Sequence, residues 1–141
     1  MTTLARRVAE ALMAREGTAG PLGLVLEDAA EGYARVAMTV RADMLNGHKT
    51  AHGGMLFTLA DTAFAYACNS RNEVTVAQQA SILFMAPARE GDALVAEARE
   101  EAQAGRSGAY TVMIRKADGT AVAHFHGLSR IIGGTVLPVS E

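Results

Sequence analysis

The sequence has few features that would cross-link the chain or draw it to a charged partner. Its 141 residues include a single cysteine, Cys68, which excludes an intramolecular disulfide and suits a reducing compartment. The 13 basic and 15 acidic residues form no basic block or acidic tail, so we expect no nucleic-acid partner. No apolar run is as long as a membrane span, and the charged N-terminus lacks the apolar core of a signal peptide. We therefore expect a cytoplasmic protein without a membrane partner.

Half of the residues are hydrophobic, which is enough for a core, so we expect residues 1–141 to form a single domain. Residues 1–20 are predicted to be an N-terminal helical extension of that domain. Leu4, Val8 and Leu12 recur at helical spacing. A threonine before them can cap the helix, and glycines and a proline after them end it.

The rest of the chain reads as strands around one long helix. Residues 33–41 alternate in polarity, as a half-buried strand does, and a shorter apolar run precedes them at 22–27. A helix is predicted at 53–69. Four further strands are predicted at 74–85, 93–103, 108–116 and 121–132. Their three connections are short, which predicts that all four are antiparallel neighbours.

The long helix is apolar on nearly every side, so most of its surface must be covered. An antiparallel sheet wrapped around one central helix is the simplest arrangement, and it gives an α+β fold. One sheet covers only part of a helix. We expect the remainder to be buried against a second copy of the chain, in a homodimer or homotetramer.

One acid, Asp61, interrupts this apolar helix. Its neighbours on the helical wheel include Phe57, Phe64 and Cys68 but no cation. Burying an unpaired carboxylate is costly and raises its pKa. Either a basic residue or a backbone N–H elsewhere pairs with Asp61, or the acid serves as a general base or nucleophile.

The helix begins with His52, Gly53 and Gly54, where no Cβ blocks the approach of a ligand to unpaired backbone N–H groups. Such groups can polarise a carbonyl, although a glycine pair also permits close helix packing. Gly53 and Asp61 are eight residues apart, about 12 Å along one helix. A reacting carbonyl must lie about 3 Å from both its donor and its attacking group. If both groups act on one carbonyl, they belong to different subunits.

The stretch NGHKTAHGGMLFTLADTAFAYA, residues 46–67, resembles the hotdog-fold acyl-CoA thioesterases. It is most similar to the thioesterase group of phenylacetic acid degradation, the PaaI type. That group has an Asn, five residues, His-Gly-Gly and then a helical acid at this spacing. The agreement in topology extends over residues 22–133. The resemblance implies a hotdog fold and hydrolysis of acyl-CoA thioesters, with phenylacetyl, related aryl or medium-chain acyl groups.

The resemblance also implies roles for the residues of the motif. Asp61 matches the catalytic acid, either a nucleophile or a base that activates water. Gly53 matches the backbone N–H that polarises the thioester carbonyl, and Gly54 beside it is a candidate to assist. Asn46 matches a loop residue that orients the acid, water or thioester from the partner subunit. His52 matches the histidine that shapes the helix start.

Other residues are implied in substrate binding. Thr62 is a secondary polar group beside the acid. A related branch uses a hydroxyl residue four positions after its acid, where this chain has Ala65. Arg106 and Arg130 are candidates for the CoA phosphates, which suit bidentate arginine, or else they are solvated surface residues. CoA is part of the substrate, so we expect no separate cofactor.

Four alternatives remain open at this point. A metal site could combine Asp61 with histidines, but histidines four apart in a loop fix no common face, and we expect no metal. Cys68 has no flanking base, which favours a buried apolar role over a nucleophilic one. Hydratases and dehydratases share the fold and would pair His52 with Asp61, although the proline-rich loop of the carrier-protein dehydratases is missing. The fourth alternative is a non-catalytic acyl-CoA-binding module.

The histidines considered above as possible metal ligands are His48, His52, His124 and His126.

Overall fold

The structure of the protein is a computed structural model that describes residues 2–139. Over this range the chain forms three α-helices, one 3₁₀ turn at Ala42–Met44, and six strands. In chain order, the helices and strands are α1 (Leu4–Arg15), α2 (Ala19–Leu22), β1 (Val25–Ala30), β2 (Tyr33–Thr39), α3 (Gly53–Cys68), β3 (Thr75–Phe84), β4 (Ala93–Ala104), β5 (Ser107–Lys116) and β6 (Ala121–Ile131).

The six strands form one antiparallel sheet in the order β1-β2-β4-β5-β6-β3. Helix α3 contacts all six strands, and Leu59, Ala60 and Ala63 on it have no exposed surface. Alanines on the facing strands, such as Ala34 and Ala96, are equally buried. Their small side chains let the sheet approach the helix closely and wrap around it. The predicted architecture, an antiparallel sheet around one central helix, is confirmed.

The position of β3 differs from the prediction. Strand β4 pairs with β2 and β5, whereas β3 pairs with β6 at the far edge of the sheet. The short link between β3 and β4 therefore crosses the start of α3 instead of forming a hairpin. The link forms backbone hydrogen bonds with the loop before α3 and with the residue after β2. Ala51 N–H donates to the Ala88 carbonyl at 2.7 Å, and Val40 N–H donates to the Asp92 carbonyl at 3.0 Å. Only β4, β5 and β6 form a meander.

Helix α1 is present where it was predicted, and it packs against α3 and β1. Thr3 caps it, since its Oγ1 accepts from the Arg6 N–H at 3.2 Å. The buried face consists of Ala5, Val8 and Ala9. Leu4, expected on that face, is 46% exposed, because the stripe that faces the core begins one residue later. None of the helices within residues 2–139 is long and apolar enough to cross a membrane.

Two surfaces remain uncovered in the single chain. On α3, a stripe at helical spacing is only partly buried, namely Phe57, Thr58, Asp61 and Ala65. On the sheet, the edge strand β3 and the residue after it carry exposed apolar side chains, namely Val76, Leu83, Phe84 and Met85. An edge strand with apolar side chains and unpaired backbone groups is suited to pairing with another strand. Burial of the helix against a second copy stays a prediction.

Candidate active site

The loop before α3 is held by the side chain of Asn46. Its Oδ1 accepts from the backbone N–H groups of His48 at 2.9 Å and Thr50 at 3.2 Å. Its Nδ2 donates to Thr50 Oγ1 at 3.0 Å. Two backbone donors fix the amide orientation, because only the oxygen can accept from them. The second Nδ2–H of Asn46 has no acceptor among the described residues.

His52 caps α3 and makes its two glycines unequal. The N–H of Gly54 donates to Nδ1 of His52 at 2.9 Å, which satisfies one of the free N–H groups at the helix start. The N–H of Gly53 donates to no group within residues 2–139. Gly53 therefore carries the available donor at the positive end of the helix dipole.

Asn46, Thr50 and Gly53 line one groove of about 410 Å³ together with Leu56 and the end of β3. The ring of Phe84 covers Gly53 so closely that a Cβ built on the glycine would lie 3.0 Å from Phe84 Cζ. Glycine at this position therefore permits close contact with the ring and also leaves its backbone N–H accessible.

Asp61 lines a different and larger cavity, of about 750 Å³. Its carboxylate forms no hydrogen bond or ion pair with any described residue. Burial raises the pKa of Asp61 above its usual range, and the negative charge of Glu16 raises it further. No cation or backbone donor of the chain compensates this acid, so the pairing alternative is not met within residues 2–139. An uncompensated acid in a cavity is typical of functional sites.

The Asp61 cavity and the Gly53 groove have no lining residue in common. Within one chain, the free N–H of Gly53 and the carboxylate of Asp61 therefore face separate spaces. The same helix therefore presents a free backbone N–H at its start and an uncompensated carboxylate two turns later, in separate spaces.

The remaining predicted binding residues differ in their surroundings. Thr62 lines the Asp61 cavity, but its Oγ1 donates to the Thr58 carbonyl at 2.7 Å, so its proton is used within the helix. Arg106 and Arg130 are exposed and line neither the cavity nor the groove. They lie close together at one end of the sheet, where Arg130 pairs in register with Ser107.

Sequence reasoning missed the three other ionisable residues that line the Asp61 cavity, namely Arg15, Glu16 and Tyr66. Arg15 donates to the Val136 carbonyl at 3.1 Å. Tyr66 donates its O–H to Glu16, and burial, followed by this bond, raises the pKa of Tyr66. No sequence pattern links Glu16 to Asp61, because the contact depends on how α1 packs against α3.

Two alternative chemistries find little support in these surroundings. Cys68 is buried, and burial with the nearby charge of Asp61 raises the pKa of its thiol to about 12. A thiol of that pKa is almost entirely protonated at neutral pH and is a poor nucleophile. Among residues 2–139, no three His, Cys, Asp or Glu side chains converge closely enough to hold a metal ion.

Comparison with known proteins identifies the family of the chain. The model of the thioesterase superfamily matches residues 48–123. Acyl-coenzyme A thioesterase PaaI of Escherichia coli (strain K12) is 45% identical over 128 residues, which cover 91% of each chain. The structure of the E. coli PaaI protein from the phenylacetic acid degradation operon has a TM-score of 0.92 to this chain, at 45% identity, and covers 94% of this chain and 96% of that one.

Two further solved structures extend the comparison. A substituted form of the phenylacetic acid degradation protein PaaI from Thermus thermophilus has a TM-score of 0.79 at 38% identity, covering 83% of this chain and 100% of that one. A hypothetical thioesterase from Streptococcus pneumoniae, solved with coenzyme A, has a TM-score of 0.76 at 25% identity, covering 79% and 88%. The chain belongs to the thioesterase superfamily and, within it, to the hotdog-fold acyl-CoA thioesterases of the PaaI type.

Proposed function

We propose that the chain hydrolyses acyl-CoA thioesters at a site that two copies build together, with Asp61 from one copy and Gly53 from the other. The separation of the two groups carries this proposal: an uncompensated carboxylate lines one cavity, and a free helix N–H lines another. The likeness to E. coli acyl-coenzyme A thioesterase PaaI supports the acyl-CoA substrate, as does the bound coenzyme A of the S. pneumoniae relative.

In this mechanism, the thioester carbonyl oxygen accepts a hydrogen bond from Gly53 N–H, at the positive end of α3. As a general base, Asp61 takes a proton from water while the hydroxide attacks the carbonyl carbon. The resulting oxyanion stays on the Gly53 N–H. Its collapse breaks the C–S bond, and the departing CoA sulfur takes the proton from Asp61. As a nucleophile, Asp61 instead attacks the carbonyl carbon, and the C–S bond breaks to release CoA thiolate and leave a mixed anhydride. Water then hydrolyses the anhydride to the free acid and regenerates the Asp61 carboxylate, and the released protons go to the thiolate and to solvent.

Asn46 and His52 support the carbonyl half of the site. His52 holds the start of α3 by accepting from Gly54 N–H, which leaves Gly53 as the carbonyl donor. Gly54 then acts by fixing His52 instead of by binding the substrate. Asn46 retains one free Nδ2–H in the groove that Gly53 lines, from which it can donate to the substrate or to water.

Strand β3 offers a route to the composite site. Its Phe84 end lines the Gly53 groove, and its Thr75–Val76 end lines the Asp61 cavity. If two copies pair antiparallel along their exposed β3 edges, the Phe84 end of one meets the Thr75 end of the other. A two-fold homodimer formed this way has two equivalent composite sites. Two such dimers form the homotetramer.

The cavity favours an apolar acyl group. Leu12, Phe57, Val76 and Val136 line much of it, which suits a phenylacetyl, related aryl or medium-chain group. Arg130 pairs in register with Val76, so it lies one strand away from the cavity wall. We assign Arg130 and its neighbour Arg106 to the CoA phosphates. No cofactor besides the CoA of the substrate is required.

A panel of acyl-CoAs assayed by release of free thiol tests the proposal. The protein is expected to hydrolyse aryl-acetyl or medium-chain thioesters, and Asp61→Asn is expected to bind them but to hydrolyse them orders of magnitude more slowly. The matched control is Asp43→Asn, which alters a surface aspartate that pairs with Arg41 at 3.0 Å. Full activity of Asp61→Asn would exclude this mechanism, whereas binding of acyl-CoA without turnover by the unsubstituted protein would favour the binding-module alternative.

A further inference from the structure

A second carboxylate shares the Asp61 cavity, and the proposed reaction does not use it. Glu16 is the residue that follows α1, and it lines the same cavity of about 750 Å³ as Asp61. It lies outside residues 48–123, the part matched by the family model. The N-terminal helix therefore brings an acidic side chain to the active-site half that Asp61 occupies.

Two hydroxyl groups hold this carboxylate in place. One oxygen, Oε1, accepts from the Tyr66 O–H, and the other, Oε2, accepts from the Thr18 O–H at 2.6 Å. No described cation forms an ion pair with Glu16. The two hydrogen bonds fix the orientation of this carboxylate, whose negative charge acts on Asp61. Tyr66 anchors that charge to α3, the helix that carries Asp61.

Few other charges face Asp61. From the α1 side, Arg15 and Glu16 line the cavity, and α3 itself contributes Tyr66 and Cys68 nearby. The cavity residues from β3 and from the C-terminal segment are threonines and valines. Arg15 is exposed and donates to a backbone carbonyl, so solvent screens its charge. Glu16 therefore contributes the main fixed charge close to Asp61.

We propose that Glu16 is a positioning residue of the thioesterase site, a second carboxylate that acts through Asp61 and makes it a stronger proton acceptor. This proposal depends on the proposed function, because the proposed function is what makes Asp61 a proton acceptor. Two like charges in a partly desolvated cavity disfavour ionisation of the less stabilised one. Glu16 has two hydrogen-bond donors and Asp61 has none among the described residues, so Asp61 is the less stabilised carboxylate. Burial first, and then the negative charge of Glu16, raise the pKa of Asp61.

The variant Glu16→Gln tests the proposal, because it keeps the length of the side chain and an oxygen for Tyr66 but removes the charge. The titration midpoint of the Asp61 carboxyl carbon, followed by NMR, is expected to move to lower pH by about half a unit or more. The acid limb of kcat/KM is expected to move with it. The control is Glu10→Gln, on the same helix but exposed and paired with Arg6 at 3.1 Å, which is expected to change neither.

The outcomes separate this proposal from the proposed function. An unchanged Asp61 midpoint in folded Glu16→Gln overturns the role of Glu16. A shifted midpoint without a shifted acid limb supports the coupling and overturns Asp61 as the group that governs hydrolysis. If Glu16→Gln does not fold, the unsubstituted protein answers the question. Its Asp61 carboxyl carbon is expected to titrate in two steps, as a group coupled to a second acid does, and a single-site curve overturns the proposal.

Discussion

Gly53 and Asp61 lie on one helix, eight residues apart, yet they line two spaces that share no residue. The two glycines at the start of α3 differ in their hydrogen bonds: Gly54 N–H donates to His52, whereas Gly53 N–H is free within residues 2–139. Under the proposed mechanism, a carbonyl bound at Gly53 is therefore attacked with the help of Asp61 from another chain. Each half of the proposed site can be tested separately by substitutions that remove one group at a time.

Gly53→Pro is expected to remove the carbonyl donor without breaking the helix. Proline suits the first helical position, where no intrahelical bond is lost. The preceding His52 has φ −60° and ψ 136°, which is compatible with a following proline. We expect kcat to fall by about 10²–10³, the usual loss for one oxyanion donor, measured by thiol release from acyl-CoA.

The control is Gly53→Ala, which keeps the N–H. Both substitutions introduce a Cβ that crowds Phe84, which would lie 3.0 Å away, so any effect of that crowding is present in both variants. We expect Gly53→Ala to lose less than about tenfold in kcat. Equal losses in the two variants would mean that contact with Phe84, and not the N–H, is what the glycine provides.

Asp61→Asn is expected to make the protein more stable while it abolishes hydrolysis. The pKa of Asp61 is raised in the folded protein, so the folded state binds its proton more tightly than the unfolded state. Its contribution to stability therefore falls as pH rises from the unfolded pKa to the folded one, and stays low above that. At neutral pH the amide removes this deficit, and we expect Tm to rise by a few degrees.

Thermal unfolding at two pH values checks this prediction. The gain in Tm from Asp61→Asn is expected at neutral pH and is expected to shrink as the pH is lowered through the raised pKa of Asp61, because protonation of the folded carboxyl removes the difference. Asp43→Asn is the reference. Because Arg41 lowers the pKa of Asp43, the contribution of Asp43 to stability changes with pH in the opposite direction. A lower Tm for Asp61→Asn at neutral pH would point to an undetected partner of Asp61.

Sequence reasoning succeeded where the signal was local. The bounds of α3 follow from a continuous apolar pattern with glycines at its start. The predicted position of β3 was wrong, because a short link between two strands does not determine which edge of the sheet the strand joins. Glu16 was missed because its approach to Asp61 depends on the packing of α1, which no periodicity encodes.

Thr50→Val is expected to weaken hydrolysis by loosening Asn46. The substitution keeps the branched shape but removes the hydroxyl that accepts from Asn46 Nδ2 at 3.0 Å. Backbone donors still hold the amide oxygen, so the loss is partial. We expect kcat/KM to fall about threefold to tenfold, as for one neutral hydrogen bond, and Thr50→Ser to restore it. If Asn46→Ala removes activity but Thr50→Val leaves it unchanged, Asn46 does not depend on this hydroxyl.

Leu83→Lys is expected to weaken subunit association without unfolding the chain. Leu83 is 61% exposed on the β3 edge, so a single chain loses little packing, while a charge on an edge strand opposes pairing. Sedimentation or light scattering is expected to show a smaller species with lower activity. The matched control is Val25→Lys, 57% exposed on β1 at the opposite edge. Dissociation by Val25→Lys alone would assign the interface to β1.

Two inactive variants are expected to restore activity when they assemble together. An Asp61→Asn subunit supplies an intact Gly53, and a Gly53→Pro subunit supplies an intact Asp61. In a mixed dimer one of the two composite sites is then complete and the other lacks both groups. Random mixing makes half of the dimers mixed, so we expect about a quarter of the wild-type activity. Differently tagged chains, co-expressed and purified through both tags, exclude assemblies that hold only one variant, so the activity is expected to rise above a quarter. A site contained within one chain gives no activity above that of the separate variants, because neither chain then holds both groups.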